Sequence, residues 1–472
     1  MENNFPDNWA VTTLNDVCSI DTGKWDSNHS TLEGKYRFYT CAYEHLLSDT
    51  KRFSGNCVIL PGNGANVGEV FFYDGEFDAY QRTYVLSNFQ VDSKYAYYHL
   101  KYQWKEINKE KQYGSATNFI KIGNFLEYEI LLPPLPEQHR IVAKLDAVMQ
   151  KVESNKQRLE KIPKLLKRFR QSVLAFAISG KLTDDWRKQN DFNAFEELNQ
   201  IKNRREKENK KGKLTKKEKA FANIEFQINH EIKGWAKAKL DNLIYISARI
   251  GWRGLKAEEY TSSGPLFLSV HSLNYGDNVN FAKAYHISED RFLESTEIAL
   301  QENDILLCKD GAGIGKLGLV KNLKEKATVN SSLLVIRSLE AFHYKFLYYF
   351  LLGPALQNIV KERMTGTAVP HVFQKDIKEF ILDVPPLKEQ KEIVKRIEQL
   401  FAFVDKLEAR YTKTKTMIDK LPQSILAKAF RGELVPQNPN DEPASVLLDR
   451  IKKEKEKLNG EKKEKKRKRT TL

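Results

Sequence analysis

The chain has 472 residues and 41% of them are hydrophobic, so it can form more than one sizeable core. Four scattered cysteines without a CxxC pair argue against a disulfide framework or a zinc site, and nine histidines form no HExxH-like pair, so no metal is expected. No basic leader and no apolar run approaching 18 residues is found, so we expect a cytoplasmic protein that does not span a membrane.

The net charge of +15 is concentrated in two segments. Residues 201–219 hold 10 basic and 3 acidic residues, and residues 451–472 hold 11 basic and 4 acidic residues, which gives +7 in each. The remaining chain is therefore nearly neutral, and the total charge alone does not indicate nucleic-acid binding by its folded parts.

The first 131 residues, called head 1 below, are predicted to form a mixed α/β unit. Strand candidates at 56–62, 69–75 and 83–89 alternate with Gly, Asn and Asp turns. Residues 95–107 have the apolar spacing of a helix.

Residues 132–182 recur at 384–434, at a constant offset of 252 and without a gap, which indicates a duplicated structural unit. Apolar residues alternate in steps of three and four in each copy, as in a coiled-coil seam roughly 50 Å long. Pro163 and Pro422 have no counterpart in the other copy, so we predict a kink or break at a different place in each helix. In the first copy the seam positions are 141, 145, 148, 152, 159, 162, 166, 169 and 173.

Residues 235–383, called head 2, repeat the plan of head 1 at greater length. GANVG at 64–68 resembles GAGIG at 311–315, and YYHL at 97–100 corresponds to YYFL at 348–351. We predict head 1 at 1–131, a long helix at 132–182, a basic helical tail and linker at 183–234, head 2 at 235–383, a second long helix at 384–434 and a basic tail at 435–472.

PPLPEQ and PPLKEQ each open a helix after a globular head. Together with GSATNFIKIGNFLEYEILLPPLPEQHRIVAKLD, LKRFRQSVLAFAISGKLT and their second copies, they make nearly the entire chain resemble the specificity subunits of type I restriction-modification systems. The resemblance implies an α+β fold in which two mixed α/β target-recognition domains are separated by two long helices that form an antiparallel coiled coil. Each domain would read one half of a split target in double-stranded DNA.

The same resemblance implies that catalysis resides in partner subunits. The expected partners are two methyltransferase (modification) subunits and restriction (motor and endonuclease) subunits. S-adenosylmethionine, ATP and magnesium would be bound by those partners, and this chain would bind no cofactor and be non-catalytic by itself.

Two motifs that could indicate an enzyme have simpler interpretations. GAGIGK at 311–316 lacks the first glycine and the final Ser or Thr of a P-loop, since Asp310 and Leu317 stand there. DVPPL at 383–387 lacks the aromatic residue of an adenine methyltransferase motif and is better explained as a helix start. An enzyme with its own DNA methylation or cleavage site, and a coiled-coil protein adaptor, remain as alternative functions.

Candidate DNA contacts are basic residues near glycine or aromatic residues, because Arg suits guanine edges and Lys mostly contacts phosphate. In head 1 these are Lys24, Arg37, Arg82 and Lys121; in head 2 they are Arg249, Trp252, Arg253, Lys256, Lys309 and Lys316. For subunit docking the candidates are the polar pairs that open the long helices, Glu137, Gln138, Glu389 and Gln390.

Overall fold

The computed structural model describes residues 5–109, 118–210, 224–249, 255–274, 276–364 and 371–470, without the side chains of residue 312 and residues 458–470. The chain forms two compact units. Unit 1 comprises Met1–Glu160 and Tyr411–Leu472, and unit 2 comprises Lys161–Arg410. Each unit therefore holds one head and one stretch of each long helix. No helix within the described ranges is both long and apolar enough to cross a membrane.

The described residues of head 1 form nine strands and three short or medium α-helices. The strands are β1 Ala10–Thr13, β2 Ser19–Thr22, β3 Tyr36–Tyr39, β4 Leu46–Ser48, β5 Asn56–Pro61, β6 Phe71–Asp74, β7 Phe77–Ala79, β8 Thr83–Ser87 and β9 Glu129–Leu132. The helices are α1 Leu14–Val17, α2 Ser93–Ile107 and α3 Ile122–Leu126. The three predicted strands and the predicted helix at 95–107 are confirmed as β5, β6, β8 and α2.

The first long helix and the segment after it follow head 1. They are α4 Leu135–Glu160, α5 Ile162–Ile178, α6 Asp184–Arg187 and α7 Ala194–Lys210. Strand β10 Phe226–Ile228 precedes head 2. Head 2 then contains β11 Ala236–Lys239, β12 Ile244–Ala248, β13 Thr261–Leu268, β14 Tyr285–His286, α8 Glu289–Leu293, β15 Ile305–Cys308, β16 Leu317–Leu319, β17 Ala327–Val329, β18 Leu333–Ser338, α9 Tyr344–Leu352, α10 Pro354–Met364, α11 Gln374–Lys378 and β19 Ile381–Val384. The chain ends with α12 Leu387–Phe430 and α13 Ala444–Thr470.

The two heads have the same sheet topology, except that β10 adds a third strand to the sheet of head 2 that corresponds to β1-β9. Head 1 has sheets in the order β2-β8-β5-β6, β4-β3-β7 and β1-β9, and head 2 has β12-β18-β15-β16, β14-β13-β17 and β10-β11-β19. The sheets β4-β3-β7 and β14-β13-β17 each contain one parallel pair, β3 with β7 and β13 with β17. The duplication inferred for the helices therefore extends through the heads.

The central strand of each head is buried on both faces, which explains its continuous apolar sequence. In β5, Val58 and Leu60 pack with the core that contains α2, whereas Cys57 and Ile59 face the second sheet. In β15, alternate residues likewise belong to two different cores. Because side chains alternate across a strand, a strand between a helix and a sheet needs apolar residues at every position.

The prediction at Pro163 is confirmed, because α4 ends at Glu160 and Pro163 lies in the first turn of α5. A proline is tolerated there, since the first N–H groups of a helix have no partner within the helix. The second helix has no such break: α12 continues from Leu387 to Phe430 with Pro422 inside it.

Within each unit the two long helices run in opposite directions. In unit 1, Leu145 shares a core with Leu426, and Lys156 lies 3.7 Å from Asp419. In unit 2, Arg170 donates to Asp405 at 2.6 Å, and Arg396 donates to the Leu182 carbonyl at 2.9 Å. Partner numbers fall as residue numbers rise, as required for antiparallel neighbours.

Two seam positions that correspond to each other in the repeat were predicted wrongly: Phe169 in the first copy and Leu421 in the second, which is 40% exposed. Phe169 is 41% exposed, whereas Leu166, Val173 and Ala177 are buried. The inward face of α5 therefore includes Arg170, whose guanidinium packs over Phe401 at 5.0 Å. Leu421 is exposed at the corresponding position of the uninterrupted α12, so the break before α5 is not the cause, and both copies depart from the predicted apolar period at this position.

Each basic tail begins with an apolar face that packs on a head. Leu198 and Ile201 of α7 are buried in the core of head 2, and Leu448 and Ile451 of α13 pack into the core of head 1. The first turns of both tails are therefore structural elements and not only solvated charge.

Candidate nucleic-acid interface

Several loops of head 1 meet at one end of its main sheet. Thr22 pairs with Tyr84 and Pro61 pairs with Thr83, so the ends of β2 and β5 lie beside the start of β8. Backbone hydrogen bonds join the loops that follow: Gln81 to Trp25 at 2.8 Å, Gly62 to Arg82 at 2.9 Å and Gly64 to Asn118 at 2.8 Å. We call residues 23–25, 62–68, 80–82 and 118–121 the loop end of head 1.

Three of the four predicted head 1 contacts lie at this loop end. Lys24, Arg82 and Lys121 are all exposed there. Arg37 is different, because it lies inside β3 and is half-buried. It donates to the Tyr39 hydroxyl at 3.2 Å and packs over the Tyr73 ring at 4.3 Å. That hydrogen bond raises the pKa of Arg37 above its ordinary value.

Head 2 has an equivalent loop end around residues 309–316, 330–332 and 371–372. Lys309 N–H donates to Ser332 at 2.9 Å, and Val372 N–H donates to Lys309 at 2.7 Å. The Lys309 ammonium lies 3.1 Å from Asp310, and exposed Lys316 donates to Asn274 at 2.6 Å. The loop end of head 2 thus contains both Lys309 and Lys316, and their contact with DNA stays a prediction.

His371 adds a titratable group to the loop end of head 2. Its Nδ1 lies 3.9 Å from the Asp310 carboxylate. Burial, followed by the nearby charge of Lys309, lowers the pKa of His371 below its ordinary value. The neutral imidazole, which can both donate and accept a hydrogen bond, is therefore the dominant form at neutral pH.

The prediction that Arg249 contacts DNA is wrong for this structure. Its side chain is only 3% exposed, donates to the Val329 carbonyl at 3.1 Å and lies over the Phe267 ring at 5.5 Å. A guanidinium used inside the head cannot also reach a base edge. Trp252 and Arg253 lie outside the described residues, and Lys256 is exposed near its capping partner Glu259.

The docking role predicted for Glu137, Gln138, Glu389 and Gln390 is also not supported, because all four side chains are at most 1% exposed. Gln138 accepts from the Asp92 N–H at 2.9 Å, and Gln390 accepts from the His343 N–H at 2.7 Å. Each glutamine thus ties the start of a long helix to the start of a head helix, α2 or α9. These residues hold the chain together and have no surface for a separate subunit.

Glu137 and Glu389 each accept hydrogen bonds from distant segments of the chain, a role that we did not predict from the sequence. We call each glutamate with its donors a lock. Trp9 donates to Glu137 at 3.2 Å, and Gln437 donates to the same carboxylate at 2.6 Å. Burial raises the pKa of Glu137 above its ordinary value. The signal was present in the repeated WA dipeptide, Trp9-Ala10 and Trp235-Ala236, which opens each head.

In unit 2 the equivalent glutamate has more donors. Glu389 accepts from Trp235 at 2.8 Å, Thr183 at 2.7 Å and the Arg187 guanidinium at 3.0 Å. Both locks join the first strand of a head to the start of a long helix, so they fix each head on the helix that follows it.

The family model for the type I restriction modification DNA specificity domain matches residues 6–164 and 232–414, which is well over half of the chain. The chain belongs to the family of type I restriction-modification specificity subunits. The two matched regions each contain one head and the start of a long helix, in agreement with the internal repeat.

Known specificity subunits match this family member along most of its length. The EcoDI specificity subunit of Escherichia coli is 32% identical over 97% of this chain and 98% of its own length. The EcoKI specificity subunit of Escherichia coli strain K12 is 31% identical over 74% of this chain and 68% of its own.

Solved structures share the fold of this specificity subunit. One chain, from a study of complex assembly and conformational transition of the type I R-M system, gives a TM-score of 0.62 at 18% identity and covers 91% of this chain and 99% of its own. The HsdS subunit from Thermoanaerobacter tengcongensis gives 0.55 at 17% identity, covering 91% and 98%.

Proposed function

We propose that this specificity subunit recognises a split sequence in double-stranded DNA, with one half read by the loop end of each head. The observation that carries the proposal is the pair of loop ends, which are built on one topology but carry different exposed side chains. Identical scaffolds with unlike reading surfaces are suited to two unlike half-sites. Exposed Lys24, Arg82 and Lys121 in head 1 and Lys316 in head 2 would contact phosphates, which position a protein on the duplex.

We further propose that the two long helices form an antiparallel coiled coil that sets the distance between the half-sites. The opposite helix directions within unit 1 and within unit 2 support this arrangement. Major grooves on one face of DNA recur about every 34 to 36 Å. A helix pair roughly 50 Å long can span that distance.

The proposed partners are two methyltransferase subunits and restriction subunits, and the proposed location is the cytoplasm. On this proposal the chain is non-catalytic, and S-adenosylmethionine, ATP and magnesium are bound by the partners. Incubating the purified chain alone with labelled S-adenosylmethionine and DNA tests this point. Label transfer to DNA would show that the chain carries its own methylation site and would overturn the proposal.

A competition among random duplexes for the full chain tests the recognition itself. We expect enrichment of two short conserved blocks separated by a fixed spacer of any sequence. Equal binding of all duplexes would instead favour a protein adaptor. Mapping of methylated adenines in the host genome provides an independent reading of the same target.

Lengthening the helices tests their role as a spacer. One heptad inserted into α4 and one into α12, beside the Lys156–Asp419 pair, should increase the preferred spacer without changing either block. The control is the double variant Lys156→Ala, Asp419→Ala, which removes the ion pair at constant length and should leave the spacer unchanged. An unchanged spacer after the insertions would contradict the role of the helices.

A further inference from the structure

The two loop ends contain the same backbone junction. In head 1, Asn63 forms an isolated bridge with Phe119, and in head 2, Asp310 forms one with His371. A neighbouring hydrogen bond supports each junction, from Ile120 to Gly62 at 2.9 Å in head 1 and from Val372 to Lys309 at 2.7 Å in head 2. Two distant chain segments therefore hold the bridged residues in a defined place.

The side chains at the junction are partly exposed and differ between the heads. Phe119 is 37% exposed. The side chains of Asp310 and His371 are 27% and 32% exposed. Head 1 thus presents an amide with an aromatic ring, whereas head 2 presents a carboxylate with an imidazole. The backbone bridge is therefore the same in both heads, whereas the side chains that it presents differ.

The glycine that follows each junction leaves its surroundings open. Gly64 and Gly311 have φ angles of +86° and +72°, and a Cβ added to either would meet nothing within 4 Å. The positive φ favours glycine. Among the residues that the structure describes, no side chain lies within 4 Å of that added Cβ, so another molecule can approach this side of the junction closely.

Basic side chains lie around each junction. Lys121 follows Phe119 by two residues, and Lys309 contacts Asp310 at 3.1 Å. Lysine suits phosphate, whereas amide, carboxylate and imidazole groups suit base edges. Each junction therefore has both a group that can position the duplex and groups that can discriminate among bases.

We infer that the bridged pairs Asn63–Phe119 and Asp310–His371 are the specificity-determining positions of head 1 and head 2. The inference rests on the proposed function. Asparagine pairs well with adenine and phenylalanine contacts the thymine methyl group, so head 1 should prefer A·T at the position it reads. Aspartate accepts a hydrogen bond from the cytosine amino group, so head 2 should prefer C·G.

The test transplants one pair into the other head. The variant Asp310→Asn, His371→Phe gives head 2 the pair of head 1, and the full chain is used in the competition among random duplexes. We expect the preference at one base pair of the head 2 block to move from C·G toward A·T by roughly 5- to 100-fold. The head 1 block and the spacer should not change.

A matched control is Glu325→Gln, which makes the same carboxylate-to-amide change. Glu325 is exposed and precedes β17, at the opposite end of that strand from the loop end. This variant should retain the original target. If the double variant folds poorly, as judged by its melting temperature, Asp310→Asn alone carries the test, because it preserves shape and removes only the charge.

The outcomes separate the inference from the proposed function. A wild-type chain that selects a split target, together with a transplanted variant that selects the same target, overturns the inference and leaves the proposed function in place. A wild-type chain without any sequence preference overturns both. A change confined to the head 2 block supports both.

Discussion

Head 1 and head 2 pack corresponding positions with different chemistry. In head 1, buried His99 hydrogen-bonds to Tyr128 at 3.0 Å and packs against Phe430 of α12. In head 2, the YYFL motif places Phe350 at the matching position, and it packs edge-to-face on Phe380. The same topology thus accommodates a polar pair in one head and an apolar pair in the other, provided that each buried polar group has a partner.

The glutamate locks show the same contrast. Glu137 is held by neutral donors from Trp9 and Gln437, whereas Glu389 also accepts from a guanidinium, that of Arg187. The comparison teaches that the duplicated scaffold preserves the geometry of a junction more strictly than its charge. Variants that change these groups can therefore test whether the two units are energetically equivalent.

The largest difference in stability between the two units is expected when the glutamates of the locks are replaced. Glu389→Ala removes the nearer of the two carboxylates that pair with the largely buried Arg187 and leaves Asp184 at 3.5 Å, so we expect a cost of about 3 kcal/mol, the lower end for a broken buried ion pair. Glu137→Ala leaves neutral donors unpaired, which costs about 1 to 3 kcal/mol. Hydrogen-exchange mass spectrometry resolves peptides of each unit. The loss of protection that Glu389→Ala causes in unit 2 should exceed the loss that Glu137→Ala causes in unit 1.

The controls are Glu389→Gln and Glu137→Gln, which retain the shape of the side chain. Glutamine should rescue the Glu137 site more completely, because the charges near it, Arg140 and Asp441, already pair with each other at 2.6 Å. Equal losses for the two alanine variants would contradict the difference in donor charge.

The second expected difference is in the loss of stability at acidic pH, because head 1 has buried His99 where head 2 has Phe350. Burial lowers the pKa of His99 to about 3, below the ordinary value of 6.5. Below pH 6.5 the unfolded chain therefore binds a proton that the folded head does not, so the contribution of His99 to stability falls until the pH reaches about 3. The loss is roughly 3 kcal/mol at pH 4.

The variant His99→Phe, Tyr128→Phe gives head 1 the apolar pair of head 2. Urea unfolding of unit 1 between pH 7 and pH 4 should show a shallower loss of stability for this variant than for the wild type. The difference between the two proteins isolates His99 from Glu137, whose raised pKa acts in the opposite direction. Phe350→His should introduce a new acid-dependent loss in unit 2, and identical pH profiles would rule out this role of His99.

The smallest difference in stability between the two units is expected when the two unshared prolines, Pro163 and Pro422, are replaced. Pro422 lies inside α12, where it removes a helix hydrogen bond, so Pro422→Ala should stabilise unit 1 by about 1 to 3 kcal/mol. Pro163 lies in the first turn of α5, so Pro163→Ala should change the stability of unit 2 by less than about 0.5 kcal/mol. Hydrogen exchange of the helix peptides measures both changes, and a larger effect at Pro163 would reverse this ranking.

Much of the local structure could be predicted from the sequence because local patterns control it. The apolar run at 56–62 became β5, the helical spacing at 95–107 became α2, and Pro163 interrupted the first long helix. The loop end was predicted only in part. Lysines and arginines near glycine or aromatic residues indicated Lys24, Arg82 and Lys316, but the same signal also indicated Arg249, which is buried.

The sequence by itself determined the duplication, the position of the long helices and the order of heads and tails, because repeats and apolar periods are local properties of the chain. Tertiary structure alone decided that Glu137 and Gln138 face inward and that Asn63 meets Phe119. A residue type states which contacts are possible, whereas burial and partners depend on segments that are far apart in the chain. For that reason the repeat could be recognised at once, but the residues proposed to read DNA emerged only from the folded heads.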